Sequence, residues 1–241
     1  MKFIADTHTH TVMSGHAHST LLENLSVAKA RGLRFLAVTD HTGEMPGSPH
    51  DSYFVCMHTA LPDEYDGIQL LRGCEVNILD ESGRLDLSEG ILSQLEWVIA
   101  SIHSYITKPM GYDAHTRLWL NIAKNPHVDV IGHCGEELFK FDYEEAIRAF
   151  KAYGKIVEIN NASFRTRPTA RDNCMRIAEL CAKHGVPLVV GSDAHFAGAV
   201  GDFRLAEEYL LAAGIPEESI ISTDCDRFAA HLRRITGRNF S

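Results

Sequence analysis

A chain of 241 residues, 45% hydrophobic and 23% charged, has the profile of a soluble globular protein with enough residues for a large core. Its formal net charge of −9 argues against non-specific nucleic-acid binding, which depends on a basic surface. The opening "MKFIADTH" lacks the apolar run of a signal peptide, and no stretch approaches the roughly 20 apolar residues of a membrane span, so a cytoplasmic protein is expected.

In chain order, short apolar runs stop abruptly at polar residues of the ligand type. "KFIADTHTH" ends on His8 and His10 and is followed by a helical stretch over 21–32 closed by Gly32. "RFLAVTDH" (34–41) ends on Asp40 and His41, after which 42–67 reads as a long loop. "IQLLRGCEVNI" (68–78) carries Glu75, and 84–96 reads as helical. "WVIASIHS" (97–104) carries His103; the rim segment 104–117, with Lys108 and His115, leads into a helical pattern over 114–125. "VDVIGHCG" (128–135) carries His133, and the helix over 142–154 has Asp142 as N-cap and Gly154 at its end. "KIVEINN" (155–161) runs into the loop 160–173 with Arg165, Arg167 and Arg171, then a helix over 170–185. "PLVVGSDAH" (187–195) carries Asp193 and His195, and helices over 205–214 and 226–237 complete the chain.

Strands alternating with helices imply a parallel sheet. Ligand-type residues at nearly every strand's C-terminal end favour a barrel, whose strand ends converge on one mouth, over an open sheet with one switch point. Seven strands leave it one short of eight. Residues i and i+2 of a strand share a face, so His8 and His10 point together, as do Asp193 and His195. These pairs come from the first and last strands, neighbours once a barrel closes, and form a divalent-metal site with His41, Glu75, His103 and His133 facing the same mouth. Six cysteines without a C-x-x-C pair read as small buried residues, Cys134 being the one beside a candidate ligand.

As a set, "DTHTHTVMSGHA", "AVTDH", "GCEVNI", "ASIHS", "IGHCG" and "VGSDAH" resemble the PHP (polymerase and histidinol phosphatase) superfamily, above all its stand-alone YcdX-like phosphatases. The resemblance implies one PHP domain over 1–241, an α/β fold of the distorted seven-stranded (β/α)7 TIM-like barrel type, and a trinuclear centre at the C-terminal ends of the strands. It places His8, His10, Glu75 and Asp193 on a first divalent ion, Glu75, His103 and His133 on a second, and His16, His41 and His195 on a third. Zinc is the first expectation for these ions, with manganese or iron as alternatives. His18 lies outside the pattern and reads as a loop histidine; Asp40 would point away from the ligands and support them, with proton transfer as the sharper alternative.

The expected activity is hydrolysis of a small phosphorylated substrate by a metal-bridging hydroxide, with Asp40, Glu75 and Asp193 as the catalytic carboxylates. Arg165 and Arg167 are the candidate phosphate ligands, since guanidinium groups suit phosphate; the competing reading is a solvated loop. A nuclease or phosphodiesterase and a non-catalytic metal-bound interaction module are the alternatives. No membrane partner is expected, and a homo-oligomer is left open.

Overall fold

The computed structural model describes residues 1–240. In chain order its elements are β1 (Ala5–Asp6), α1 (Leu21–Ala30), β2 (Phe35–Val38), α2 (Ser52–Ala60), β3 (Glu64–Tyr65), β4 (Ile68–Asn77), α3 (Glu89–Leu92), β5 (Trp97–Ser101) and α4 (Tyr112–Lys124). They continue with β6 (Val130–Ile131), α5 (Tyr143–Ala152), β7 (Ile156–Asn160), α6 (Ser163–Thr166), α7 (Arg171–His184), β8 (Leu188–Gly191), α8 (Arg204–Ala212) and α9 (Cys225–Thr236). None of the described helices is long and apolar enough to cross a membrane.

Seven strands pair in parallel in the order β1-β2-β4-β5-β6-β7-β8, while β3 forms an antiparallel hairpin with the start of β4. Both faces of the parallel strands are buried, which is why they read as nearly continuous apolar runs. Phe35, Ala37, Leu71, Trp97, Ile99, Val130, Ile156 and Val189 point into the barrel. Their neighbours Leu36, Val38, Leu70, Val98, Ile131, Val157 and Leu188 join the layer beneath the helices. Gly73 permits the close approach of β4 and β5, since a Cβ there would run into the Trp97 carbonyl.

The seam between β8 and β1 closes in two ways. At the mouth the chains meet directly: Thr9 bridges Ala194 in parallel, the Asp193 N–H donates to the His8 carbonyl at 2.9 Å, and the His10 N–H donates to the Ala194 carbonyl at 2.9 Å. At the base the segment before α9 fills the gap. Ile220 bridges Leu188, and the Ile4 N–H donates to the Ser222 carbonyl at 2.9 Å. The architecture is a distorted seven-stranded (β/α)7 barrel in which this short segment stands where an eighth strand would.

The base is apolar and plugged by α9. The Phe228 ring meets Phe35 and Trp97 edge-on, with centroids 5.0 and 5.7 Å apart. The Trp97 indole N–H, which would otherwise be a buried donor without a partner, donates to the Thr7 carbonyl at 2.9 Å.

The helical stretches of the sequence are found with small shifts at their ends, and Asp142 caps α5 by accepting the Glu145 N–H at 2.9 Å. Two expectations are corrected. Segment 42–67 is no continuous loop: α2 buries Phe54 and Met57, whose single i,i+3 pair is too short a pattern to stand out behind the turn-rich start. Within 84–96 only Glu89–Leu92 is helical, because Leu85 bridges Ile78 and the Asp86 carboxylate accepts from the Asn77 backbone and side chain. That pairing holds the start of the segment against the end of β4.

Phe228→Ala should destabilise the protein by about 3–5 kcal/mol, the usual cost of emptying an aromatic site in a core. Urea unfolding followed by circular dichroism measures it; a loss under about 1 kcal/mol would show that α9 does not hold the base.

Candidate metal centre

Above the apolar base the barrel interior turns polar. The Glu75 carboxylate is buried at the centre of the mouth, at the upper end of β4. Its Oε2 faces His41 Nδ1 at 2.8 Å, His8 Nε2 at 3.3 Å and His10 Nε2 at 3.5 Å. Its Oε1 faces His133 Nε2 at 2.8 Å and His103 Nε2 at 3.5 Å. One carboxylate thus presents its two oxygens to two groups of imidazoles.

Asp193 enters from across the seam. Its Oδ1 lies 3.1 Å from His10 Nε2, 3.6 Å from His8 Nε2 and 3.5 Å from His195 Nδ1. His16 comes from the loop after β1, with its Nε2 3.0 Å from His195 Nε2. All nine histidine, glutamate and aspartate residues singled out in the sequence therefore meet at one mouth. Three groupings bring ligand atoms within 4.8 Å of one another: His10, His41 and His195; His8, His10 and Glu75; and His41, Glu75 and His103. The groupings interlock, because His10, His41 and Glu75 each belong to two of them.

The ring nitrogens turned away from the cluster are fixed by partners. His8 Nδ1 pairs with Glu158 Oε1 at 2.7 Å, His103 Nδ1 with Asn77 Oδ1 at 2.7 Å, and His10 Nδ1 with Ser14 Oγ at 3.1 Å. Such partners set the tautomer and aim the other nitrogen inward. None of the three partners stood out in the sequence. The signal for Glu158 was present: a carboxylate between Val157 and Ile159 in a buried strand requires a partner inside.

The electrostatics suit a cation. Burial alone would raise the Glu75 carboxyl, but His8, His41, His103 and His133 outweigh it and hold it well below the usual carboxylate range. Asp193 is held down in the same way by His8 and His10. Burial and its histidine neighbours hold His10 well below its ordinary value, so its ring is neutral. Burial would also lower His8, yet Glu158, Glu75 and Asp193 surround it and raise it. Three carboxylates converging on one buried imidazole concentrate negative charge that a divalent ion would balance. The donor set passes a second test: buried His41 Nδ1 makes no hydrogen bond, although Glu75 Oε2 is 2.8 Å away. Backbone geometry singles out the same place, since His133 and Asp193, at φ 24° and 55°, are two of the three non-glycine residues with positive φ among the described residues.

Asp40 points away from the imidazoles. Its carboxylate accepts from the Thr11 N–H, the Thr11 hydroxyl, the Ser14 hydroxyl and the Tyr53 hydroxyl at 2.6–2.8 Å. With four donors on two oxygens, it is a fixed anchor for Ser14 and the loop that carries His16, and no proton-transfer group facing the mouth.

Beside Asp193 and His195 opens a cleft of about 440 Å³, also lined by Arg165, Arg167, His18 and Phe196. The expected arginines are therefore at the mouth. Arg167 donates to Ser163 Oγ at 2.9 Å and lies 3.8 Å from Glu136, while the exposed Arg165 side chain has no hydrogen bond or ion pair among the described residues. His18, on its loop and outside the cluster, also lines this cleft. His115 is buried between the Lys140 carbonyl and the Met110 N–H and is structural rather than part of the rim. Cys134 is buried, which pushes its thiol up and leaves it inert.

A family model described as "PHP domain" matches residues 6–164, and one described as "PHP-associated" matches residues 171–208. A Thermoanaerobacter protein named "probable phosphatase" is 43% identical over 235 residues, covering 97% of this chain and 96% of its own. An Acetivibrio thermocellus protein of the same name is 40% identical over 234 residues, covering 97% of each chain. Among solved structures, a histidinol phosphate phosphatase from Lactococcus lactis, in complex with zinc, L-histidinol and phosphate, has a TM-score of 0.62 at 17% identity and covers 90% of this chain and 95% of its own. At that identity the likeness establishes a shared fold.

Ser14→Ala removes the hydroxyl that joins Asp40 to His10 and leaves the buried Asp40 carboxylate one donor short. Denaturant unfolding should show a loss of about 1–3 kcal/mol; an unchanged midpoint would mean that water replaces the hydroxyl and the link carries no weight.

Proposed function

The chain belongs to the PHP-domain family, and on that footing we propose that it is a metal-dependent phosphatase acting on small phosphate monoesters. The observation that carries the reading is the meeting of five imidazoles on the buried Glu75 carboxylate, beside an arginine-lined cleft. Near-complete coverage by relatives named "probable phosphatase" supports it.

In this reading His8, His10, Glu75 and Asp193 hold a first ion, Glu75, His103 and His133 a second, and His16, His41 and His195 a third. Zinc is assigned first because borderline nitrogen and carboxylate donors suit it, and the Lactococcus lactis protein of the same fold holds zinc; manganese and iron are the alternatives. Such ions would share the charge of the phosphoryl oxygens and acidify a bound water toward a pKa of about 7.

The chain's own residues do the rest. Glu75 and Asp193 hold the histidine rings in a fixed array from opposite sides of the seam. Arg165 and Arg167 reach the phosphate from the cleft, where Arg167 exchanges its partner Ser163 for a phosphate oxygen. Phe196, large and exposed, and His18 form the wall against which the leaving group packs. Asp40 acts through Ser14 by keeping His10 in place.

Chelation should abolish hydrolysis of p-nitrophenyl phosphate, and zinc, manganese or iron should restore it; activity that survives complete metal removal would overturn the metal-dependent reading. Arg167→Ala should raise KM roughly tenfold or more, since a hydrogen bond to a charged group is worth about 1.5–3 kcal/mol. An unchanged KM would remove Arg167 from the phosphate site. Faster hydrolysis of single-stranded DNA than of the monoester would favour the nuclease alternative.

A further inference from the structure

Glu158 stands in the middle of β7, fully buried, with Val157 and Ile159 on either side facing the helices. A carboxylate in that position is retained only if its oxygens are matched. They are matched by parts of the site that come from different strands. Oε1 meets His8 Nδ1, just beyond β1, at 2.7 Å over the intervening β8. Oε2 accepts the backbone N–H of His133, just beyond β6, at 3.0 Å, and the Asn160 amide at 3.4 Å; that amide also reaches Asp193 Oδ2 at 3.2 Å.

Each contact controls a different property. With its Nδ1–H donated to Glu158, the His8 ring keeps the lone pair of Nε2 free on the side of Glu75 and Asp193. His133 has φ 24°, a conformation a histidine seldom adopts unaided, and the bond from its N–H to Oε2 holds that bend and so sends Nε2 to Glu75 Oε1 at 2.8 Å. The pairing also depends on Gly191. A Cβ there would run into Glu158 Oε1 and lie 2.6 Å from the His8 Cβ, so only glycine on β8 leaves room for the carboxylate and the imidazole to meet.

We infer that Glu158 is a positioning residue that sets two ligand groups of the metal centre at once, the tautomer of His8 and the backbone bend of His133, and thereby couples the first and second ions. Asn77, whose Oδ1 meets His103 and whose amide is taken up by Asp86, bonds one candidate ligand side chain and is its one-sided counterpart. The inference rests on the metal-dependent reading above.

The test uses the zinc-loaded full chain, with elemental analysis and competition against a chelator. Glu158→Gln should weaken retention of two ions per chain by about 10–100-fold, the usual effect of losing a group that orients a ligand. Asn77→Ala should weaken one. The unfolding midpoint of the zinc-free Glu158→Gln protein should stay near that of the zinc-free parent. Parental zinc affinity in Glu158→Gln, or loss of a single ion, would overturn the coupling. So would a zinc-free midpoint that falls together with zinc content, since that would make Glu158 a structural residue. A parent chain that takes up no zinc, manganese or iron would overturn the metal-dependent reading itself, and this inference with it, and is told apart because parent and variants would then behave alike.

Discussion

The backbone hydrogen bonds from Asp193 to His8 and from His10 to Ala194 join two stretches of chain that lie far apart in sequence. Without that seam the first strand would carry two imidazoles and the last a carboxylate and an imidazole, with nothing to hold the pairs in common. Closing it puts Asp193 3.1 Å from His10 and leaves Glu75, on β4, facing His8 and His10. Every other feature of the mouth follows from where those strands end.

Stability and chemistry are separated along the barrel axis. The lower half is apolar, with Phe228 of α9 set edge-on against Phe35 and Trp97. The upper half contains the buried carboxylates Glu75, Glu158 and Asp40 and the partly buried Asp193. Charge in a poorly polarisable interior is costly unless it is paired and hydrogen-bonded. Here Asp40 takes four donors, Glu158 takes a ring and two amides, and Glu75 and Asp193 take imidazoles. The first two hold their neighbours still, while the last two face the open end, where a cation can reach them. This division sorts the carboxylates by role, although in composition they are alike.

The rim follows a different logic. Loops after the strands carry His16, His18, Arg167 and Phe196, the short helix α6 carries Arg165, and several of these are exposed. Loops on a rigid scaffold can vary without disturbing the base, so the choice of substrate belongs to these residues and the reaction to the fixed cluster beneath them.

The local pattern of the sequence was sufficient for the alternation of strands and helices, the convergence of strand ends on one mouth, and eight of the nine residues of the cluster, the loop residue His16 being implied only by the resemblance to the PHP superfamily. These depend on periods of two and about 3.6 residues and on which residue ends a strand, and such features are local. Helix α2 escaped because its buried face is only Phe54 and Met57, and 84–96 read as helical throughout because the non-helical course of its first residues is imposed by the pairing of Asn77 with Asp86. Tertiary structure alone decided how the histidines share Glu75, that Asp40 turns away, that His18 reaches the cleft, and that Glu158 meets both His8 and His133. Each of those depends on distances between residues tens of positions apart, set by barrel closure and by the room Gly191 leaves, and no periodicity encodes them.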